Sequence, residues 1–112
     1  MSQQEDCPFC QIARGEMDTE LLHEEDNVVA FEDLDPKAPV HVLVIPREHA
    51  TMETDLPPET LQQLMGATQA VAEKQGIAER GYAVRINHGE DAGQEVAHLH
   101  VHVLGGRGLS MP

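Results

Sequence analysis

Residues 97 to 107 read AHLHVHVLGGR, with histidine at 98, 100 and 102 and an aliphatic residue after each. Alternation with a period of two over this length is a β-strand pattern, because successive strand side chains point to opposite faces. His98, His100 and His102 then share one face, about 6.6 Å apart per step. Leu99, Val101 and Val103 turn the other way, toward a core. The fold must therefore supply an apolar layer behind this segment and, in front of it, a use for imidazole. A strand that needs only a polar face is served by Thr, Ser, Lys or Glu. Three titratable rings on one rigid, packed element are a mount for chemistry.

Clustered imidazoles, each with an unperturbed pKa of about 6.5, repel one another when charged. A neutral ring beside a protonated one is expected near neutral pH, with coupled titrations. The neutral ring can attack an electrophile while the protonated neighbour supplies a proton to the leaving group. H-x-H on a strand also ligates zinc when a third ligand arrives from elsewhere. A row of merely solvated histidines is the third reading. Residue type and spacing alone leave metal binding and covalent catalysis evenly matched.

Composition narrows the partners. At 112 residues the chain is expected to form a single domain spanning 1–112, with a core of Leu, Val, Ile, Met and Ala, since aromatics make up 3% and Trp is absent. No apolar run reaches the roughly 20 residues of a membrane helix. The start MSQQEDCPFC lacks a signal-peptide pattern, so a cytoplasmic location is expected. A net charge of −13 argues against nucleic acid or an anionic membrane as partner. Any anionic ligand must be held by a local site that overcomes this field. Cys7 and Cys10 form C-x-x-C, and in a reducing compartment a structural disulfide is not expected. Only six mostly polar residues precede Cys7, unlike the buried strand of a thioredoxin-type pair, so zinc is the better special use.

Along the chain, CQIARGE predicts a short helix closed by Gly15. ELLHEEDNVVAFED predicts two short strands meeting around Glu25 to Asn27, and Val40 to Ile45 a third strand ended by Pro46. The one long helix opens around Asp55 and Pro57-Pro58, with Leu61, Leu64, Met65, Thr68, Val71 and Ala72 as its core-facing stripe, and ends at Gly76. GYAVRIN and VAHLHVHVL are two more strands joined by the eight residues HGEDAGQE, long for a hairpin and rich enough in Gly to approach a ligand. This order lacks βαβ alternation, which predicts an α+β fold with an antiparallel sheet. Asn87 at a strand end and the N–H groups after Gly93 are candidate donors to a phosphoryl group.

HLHVHVL fits the pattern of the histidine triad family of nucleotide hydrolases and transferases. CPFCQIARGE, VVAFEDLDPKAPVHVLVIPREH, GYAVRIN and AGQEVAHLHVHVLGGR resemble its Hint branch, and LGGR favours that branch over the dinucleoside polyphosphate hydrolases. The resemblance covers nearly the whole chain. It implies a five-stranded antiparallel sheet with two helices, dimerising so that two sheets become one. It implies cleavage of the P–N bond of purine nucleoside phosphoramidates such as adenosine 5'-monophosphoramidate, with no cofactor needed for catalysis. By position, His100 resembles the nucleophile that gives a nucleotidyl-histidine, and His102 its neighbour on the phosphate. His98 resembles the residue that orients His100 through its backbone, and His41 the fourth histidine, which shapes the site and supports proton transfer. Asp33 matches the ribose-binding acid, and Phe9, Ile12, Phe31, Leu34 and Leu43 match the apolar slot for the base. Read by composition alone, these five residues belong to the core.

Two features depart from the family. Glu95 stands where many Hint proteins carry Ser near the leaving group, and the tail GLSMP is short and lacks Trp. In some bacterial relatives C-x-x-C joins two histidines around a structural zinc, and the matching positions are Cys7, Cys10, His49 and His98. The rivals to a phosphoramidase are a dinucleoside polyphosphate hydrolase and a nucleotide- or zinc-binding protein without turnover.

Overall fold

The computed structural model describes residues 7–94 and 96–109. Helix α1 (Pro8–Ala13) starts at Cys7, whose Sγ accepts the Cys10 amide, and Gly15 closes it at φ +76°. Strands β1 (His23–Glu24), β2 (Val28–Glu32) and β3 (Val40–Pro46) follow, then α2 (Pro58–Lys74), β4 (Ala83–Ile86) and β5 (Val101–Gly105). They form one five-stranded sheet in the order β1-β2-β3-β5-β4, and every pairing is antiparallel. The expected element order and sheet type are the observed ones. Among the described residues no helix is long and apolar enough to cross a membrane.

Strand parity divides the protein into two layers. One face carries Val28, Ala30, Val42, Val44, Leu99, Val101 and Val103, and α2 covers it with Leu64, Ala67, Val71 and Ala72. The other face carries Val29, Phe31, Leu43 and Ile45 under α1, whose Phe9, Ile12 and Ala13 pack on them. His41 shares this second face by parity with Leu43, and His102 shares it because it pairs with Leu43 in the β3–β5 ladder. The alternation of β5 therefore puts aliphatics toward the long helix and imidazoles toward the short one.

Two expectations are corrected. Leu61 and Met65 do not face the core; they are 52% and 58% exposed. The buried stripe of α2 is instead Thr60, Leu64, Ala67, Thr68, Val71 and Ala72. Small residues bring the helix close to the sheet, and Thr68 satisfies its buried hydroxyl by donating to the Leu64 carbonyl at 2.8 Å. That phase leaves Leu61 about 60° and Met65 about 100° from the centre of the core stripe. The second correction concerns β5, which begins at Val101, so His98 and His100 precede its ladder. Continuing the register would pair Leu99 with Pro46, which has no N–H to give. The chain turns off there, and the Leu99 amide bonds to the Ala50 carbonyl instead. The rings stay together all the same: His100 lies 4.9 Å from His102, and Phe9 meets both His98 and His100 edge-on.

Candidate active site and metal cluster

A cleft of about 480 Å³ opens on the α1 face. Phe9 and Ile12 of α1 and Phe31 and Leu43 of the sheet form its apolar end; His100, His102 and His41 line the floor. Asp33, Asn87 and Gly93 also reach it. Leu34 lines it too, but from the rim, 94% exposed rather than enclosed as a slot residue. Glu95 lies outside the described residues. The amide that follows Gly93 is not a free donor: Gln94 N–H bonds to the Gly89 carbonyl at 3.2 Å, closing the turn around Glu90–Ala92.

Backbone groups fix the hydrogens on the imidazoles. The Lys37 amide donates to His41 Nδ1 at 3.0 Å, so that nitrogen carries a lone pair and the proton is on Nε2. His41 Nε2–H then donates to His102 Nδ1 at 2.9 Å, with an Asp33 carboxylate oxygen 3.4 Å away. This leaves the His102 hydrogen on Nε2, the one buried side-chain polar atom without a partner among the described residues. A buried donor without a partner costs about 1–3 kcal/mol, which a ligand acceptor would recover. His100 donates from Nδ1 to the His98 carbonyl at 2.6 Å, which leaves its lone pair on Nε2. His98 donates from Nε2 to the Pro46 carbonyl at 2.9 Å.

The rings flanking His100 are neutral at neutral pH. Burial pushes His102 down to about 4, reinforced by the neighbouring His100 and His41. Burial also lowers His41, with Asp33 opposing. A protonated neighbour beside a neutral nucleophile, expected from spacing alone, is not what the environment favours. A hydrogen that His41 or His102 offers to a substrate is that of a neutral imidazole.

Among the described residues, two clusters have ligating atoms close enough to hold a metal: Asp33, His41 and His102, and Cys7, Cys10, His49 and His98. The first is unsuited. To coordinate through Nε2, a neutral His41 must carry its proton on Nδ1, where the Lys37 amide already points a hydrogen. The second suits a soft divalent ion. His98 Nδ1 lies 3.3 Å from Cys7 Sγ and 3.5 Å from Cys10 Sγ, and His49 Nδ1 lies 3.3 Å from Cys10 Sγ. A tetrahedral zinc bound by thiolate and imidazole sets that S···N edge at about 3.6 Å. The Pro46 carbonyl holds the far nitrogen of His98 and keeps Nδ1 facing the sulfurs. His98 thus belongs to the candidate metal cluster through its ring and to the cleft floor through its carbonyl, which accepts from His100.

Spacing arguments missed two contributors. The Lys37 amide acts on His41 from four residues away through a loop with no sequence signature. Arg85 lines the cleft from β4, opposite His102 in the ladder. Its period-two relation to Asn87 was the available signal.

Known proteins resemble this chain in sequence and fold. Residues 14–109 match the family model described as the HIT domain. A purine nucleoside phosphoramidase of Escherichia coli K12 is 38% identical over 108 residues, 94% of this chain and 91% of the relative. A solved HIT family hydrolase from Clostridium thermocellum is 40% identical, with a TM-score of 0.91 and 98% of both chains covered. A zinc-bound histidine triad family protein from Mycobacterium smegmatis is 34% identical, with a TM-score of 0.78 over 91% of this chain and 76% of that one. With the His-aliphatic alternation, the two-layer sheet and the near full-length match in agreement, the chain belongs to the HIT domain family.

Proposed function

We propose that this protein hydrolyses the P–N bond of purine nucleoside 5'-phosphoramidates through a nucleotidyl-histidine on His100. The observation that carries the reading is the hydrogen bond from His100 Nδ1 to the His98 carbonyl, because it directs Nε2 of a ring lining the cleft to be the attacking atom. The 38% identity to a purine nucleoside phosphoramidase supports the substrate class.

In this reading the base enters between Phe9 and Ile12 of α1 and Phe31 and Leu43 of the sheet, with Leu34 at the mouth. Asp33 accepts from the ribose hydroxyls with Oδ2, since Oδ1 is held by the Asp35 amide at 2.9 Å. The α-phosphate lies against His100 and His102, with Asn87 as a further donor. His102 Nε2–H donates to a non-bridging oxygen, which supplies the partner that this atom lacks. His41 holds His102 in the donating tautomer. The His100 Nε2 lone pair forms a bond to phosphorus, and the P–N bond breaks with its electron pair going to the amine. The amine nitrogen takes a proton from water in the open cleft. A second water then attacks phosphorus and gives its proton to the hydroxide left by the first, the bond to Nε2 breaks and returns the pair to His100, and nucleoside monophosphate leaves.

Two features accompany the reaction in this proposal. Zinc held by Cys7, Cys10, His49 and His98 would clamp α1 to the segment that carries His100 while leaving His100 and His102 free; metal analysis is expected to find one zinc per chain, lost in Cys10→Ser. The chain pairs as a homodimer through β4, whose outer edge is unpaired in the sheet and whose Val84 and Ile86 are 48% and 44% exposed. Light scattering at twice the chain mass is the expected result.

The test of the reaction is rapid quenching with adenosine 5'-monophosphoramidate, followed by mass spectrometry of the modified peptide. A nucleotidyl adduct on His100, and a loss of about a thousandfold or more in His100→Ala, are expected. Unchanged turnover in that variant would refute the mechanism. Preference for a dinucleoside polyphosphate over the amidate would refute the substrate class.

A further inference from the structure

The sheet order carries an implication for the leaving group. The apolar end of the cleft is built on β2 and β3, from Phe31 and Leu43, and the candidate nucleophile leads into β5. The next strand is β4. A nucleotide laid from the slot to His100 therefore points its remaining phosphorus substituent over β4. Arg85 of β4 pairs with His102 in the ladder, so its side chain shares the imidazole face, and it lines the cleft. Directly opposed residues have Cβ atoms about 4.5–5.5 Å apart, within the reach of an arginine. The guanidinium is close enough to His41 and His102 to disfavour their protonation.

The other cation of the cleft is already engaged: Lys37 Nζ donates to the Asp35 carboxylate and carbonyl, each at 2.9 Å. Arg85 has no ion pair among the described residues. In a chain of net charge −13, a cation beside the reacting centre with no carboxylate partner among the described residues is a local attractor for anions that the rest of the surface repels.

Building on the phosphoramidase reading, we propose that Arg85 is a specificity-determining residue that binds a negative charge on the leaving group. The ligand chemistry is an anion one or two bonds beyond the departing atom. It comes either from a carboxylate on the released amine or from the phosphate of a dinucleoside polyphosphate. Binding is through charge-assisted hydrogen bonds from the guanidinium. Because Arg85 is exposed, salt weakens the contact.

The experiment compares kcat/KM for the adenosine phosphoramidates of glycine and of glycinamide, with diadenosine triphosphate as a third substrate, for the wild type, Arg85→Gln and Arg85→Lys. An exposed pair of this kind is expected to give about a fivefold preference for glycine over glycinamide at low salt. The preference should vanish in Arg85→Gln, return in part in Arg85→Lys, and shrink in 0.5 M NaCl. If the charge arrives as phosphate, Arg85→Gln lowers diadenosine triphosphate turnover relative to glycinamide by a similar factor. Unchanged ratios in both arms would overturn the assignment. Wild-type protein that cleaves neither amidate would instead overturn the phosphoramidase reading.

Discussion

The low pKa of His102 makes stability depend on pH in a calculable way. Its ring titrates at about 4 in the folded protein, against an ordinary value of 6.5 for an exposed histidine. A depressed folded pKa means that the unfolded chain binds more protons between those two values. The contribution of His102 is therefore present above pH 6.5 and lost as pH falls toward 4. At pH 5 an unfolded ring is protonated about thirtyfold over neutral, whereas the folded ring is mostly neutral, which costs about 2 kcal/mol in stability. At pH 7 the corresponding cost is about 0.2 kcal/mol. Carboxylates across the acidic surface also respond over this range, so the wild type must be compared with His102→Asn, which cannot titrate at this position. Urea unfolding followed by far-ultraviolet circular dichroism at pH 7 and pH 5 gives the four free energies. The wild type is expected to lose about 2 kcal/mol relative to the variant between them, roughly 8 °C in midpoint temperature for a chain of this size. A gap that moves by less than about 0.5 kcal/mol would show that His102 is not held neutral by burial.

Two substitutions test other parts of the account. Lys37→Pro deletes the amide that fixes the tautomer of His41, so kcat is expected to fall about tenfold or more, an effect of about 1.4 kcal/mol on the barrier; an unchanged kcat would show that the His41–His102 chain does not matter. Gly106→Ala forces a Cβ onto a residue at φ +96° and sets it 2.9 Å from Pro39 Cβ. A loss of about 2 kcal/mol in urea unfolding is expected. Gly105→Ala should cost less, because its closest contact is the flexible Cδ1 end of Ile77 and its φ is not positive.

Parity was the readable part of the fold. An alternating strand declares its two faces without reference to its neighbours, so the division of β5 into imidazole and aliphatic sides could be read before any pairing was known. Proline and glycine marked the element ends for equally local reasons: Pro46 ends β3, and Gly76 follows α2 at φ +77°. The phase of α2 was not local. Thr60 and Ala67 are buried because the sheet admits a close helix, and only the packed structure decides that they, not Leu61 and Met65, face inward. The start of β5 depended on a proline 55 residues earlier, in the strand beside it. The cysteines and His49 could be assigned to a cluster only through resemblance, since nothing in their spacing brings residues 7 and 98 together. Protonation was the least readable. Three identical rings acquire different roles from a carbonyl at 46, a carbonyl at 98 and an amide at 37.

The use of backbone groups to orient these rings has a chemical consequence. A carboxylate that received His100 Nδ1–H would also stabilise the imidazolium, in which Nε2 has no lone pair left to attack. The His98 carbonyl orients the same nitrogen while adding no net charge, so the ring is aligned and its Nε2 remains available. The same holds for His41, which receives a neutral amide on Nδ1 although Asp33 stands 3.4 Å from its other nitrogen. With that amide in place, protonation of His41 would set two hydrogens against each other, whatever Asp33 contributes. In a protein with twenty acidic residues, the contacts that orient His100 and His41 on Nδ1 both come from the main chain. Substituting surface acids should therefore leave the tautomers of the site in place, whereas displacing the backbone at Lys37 or His98 should not.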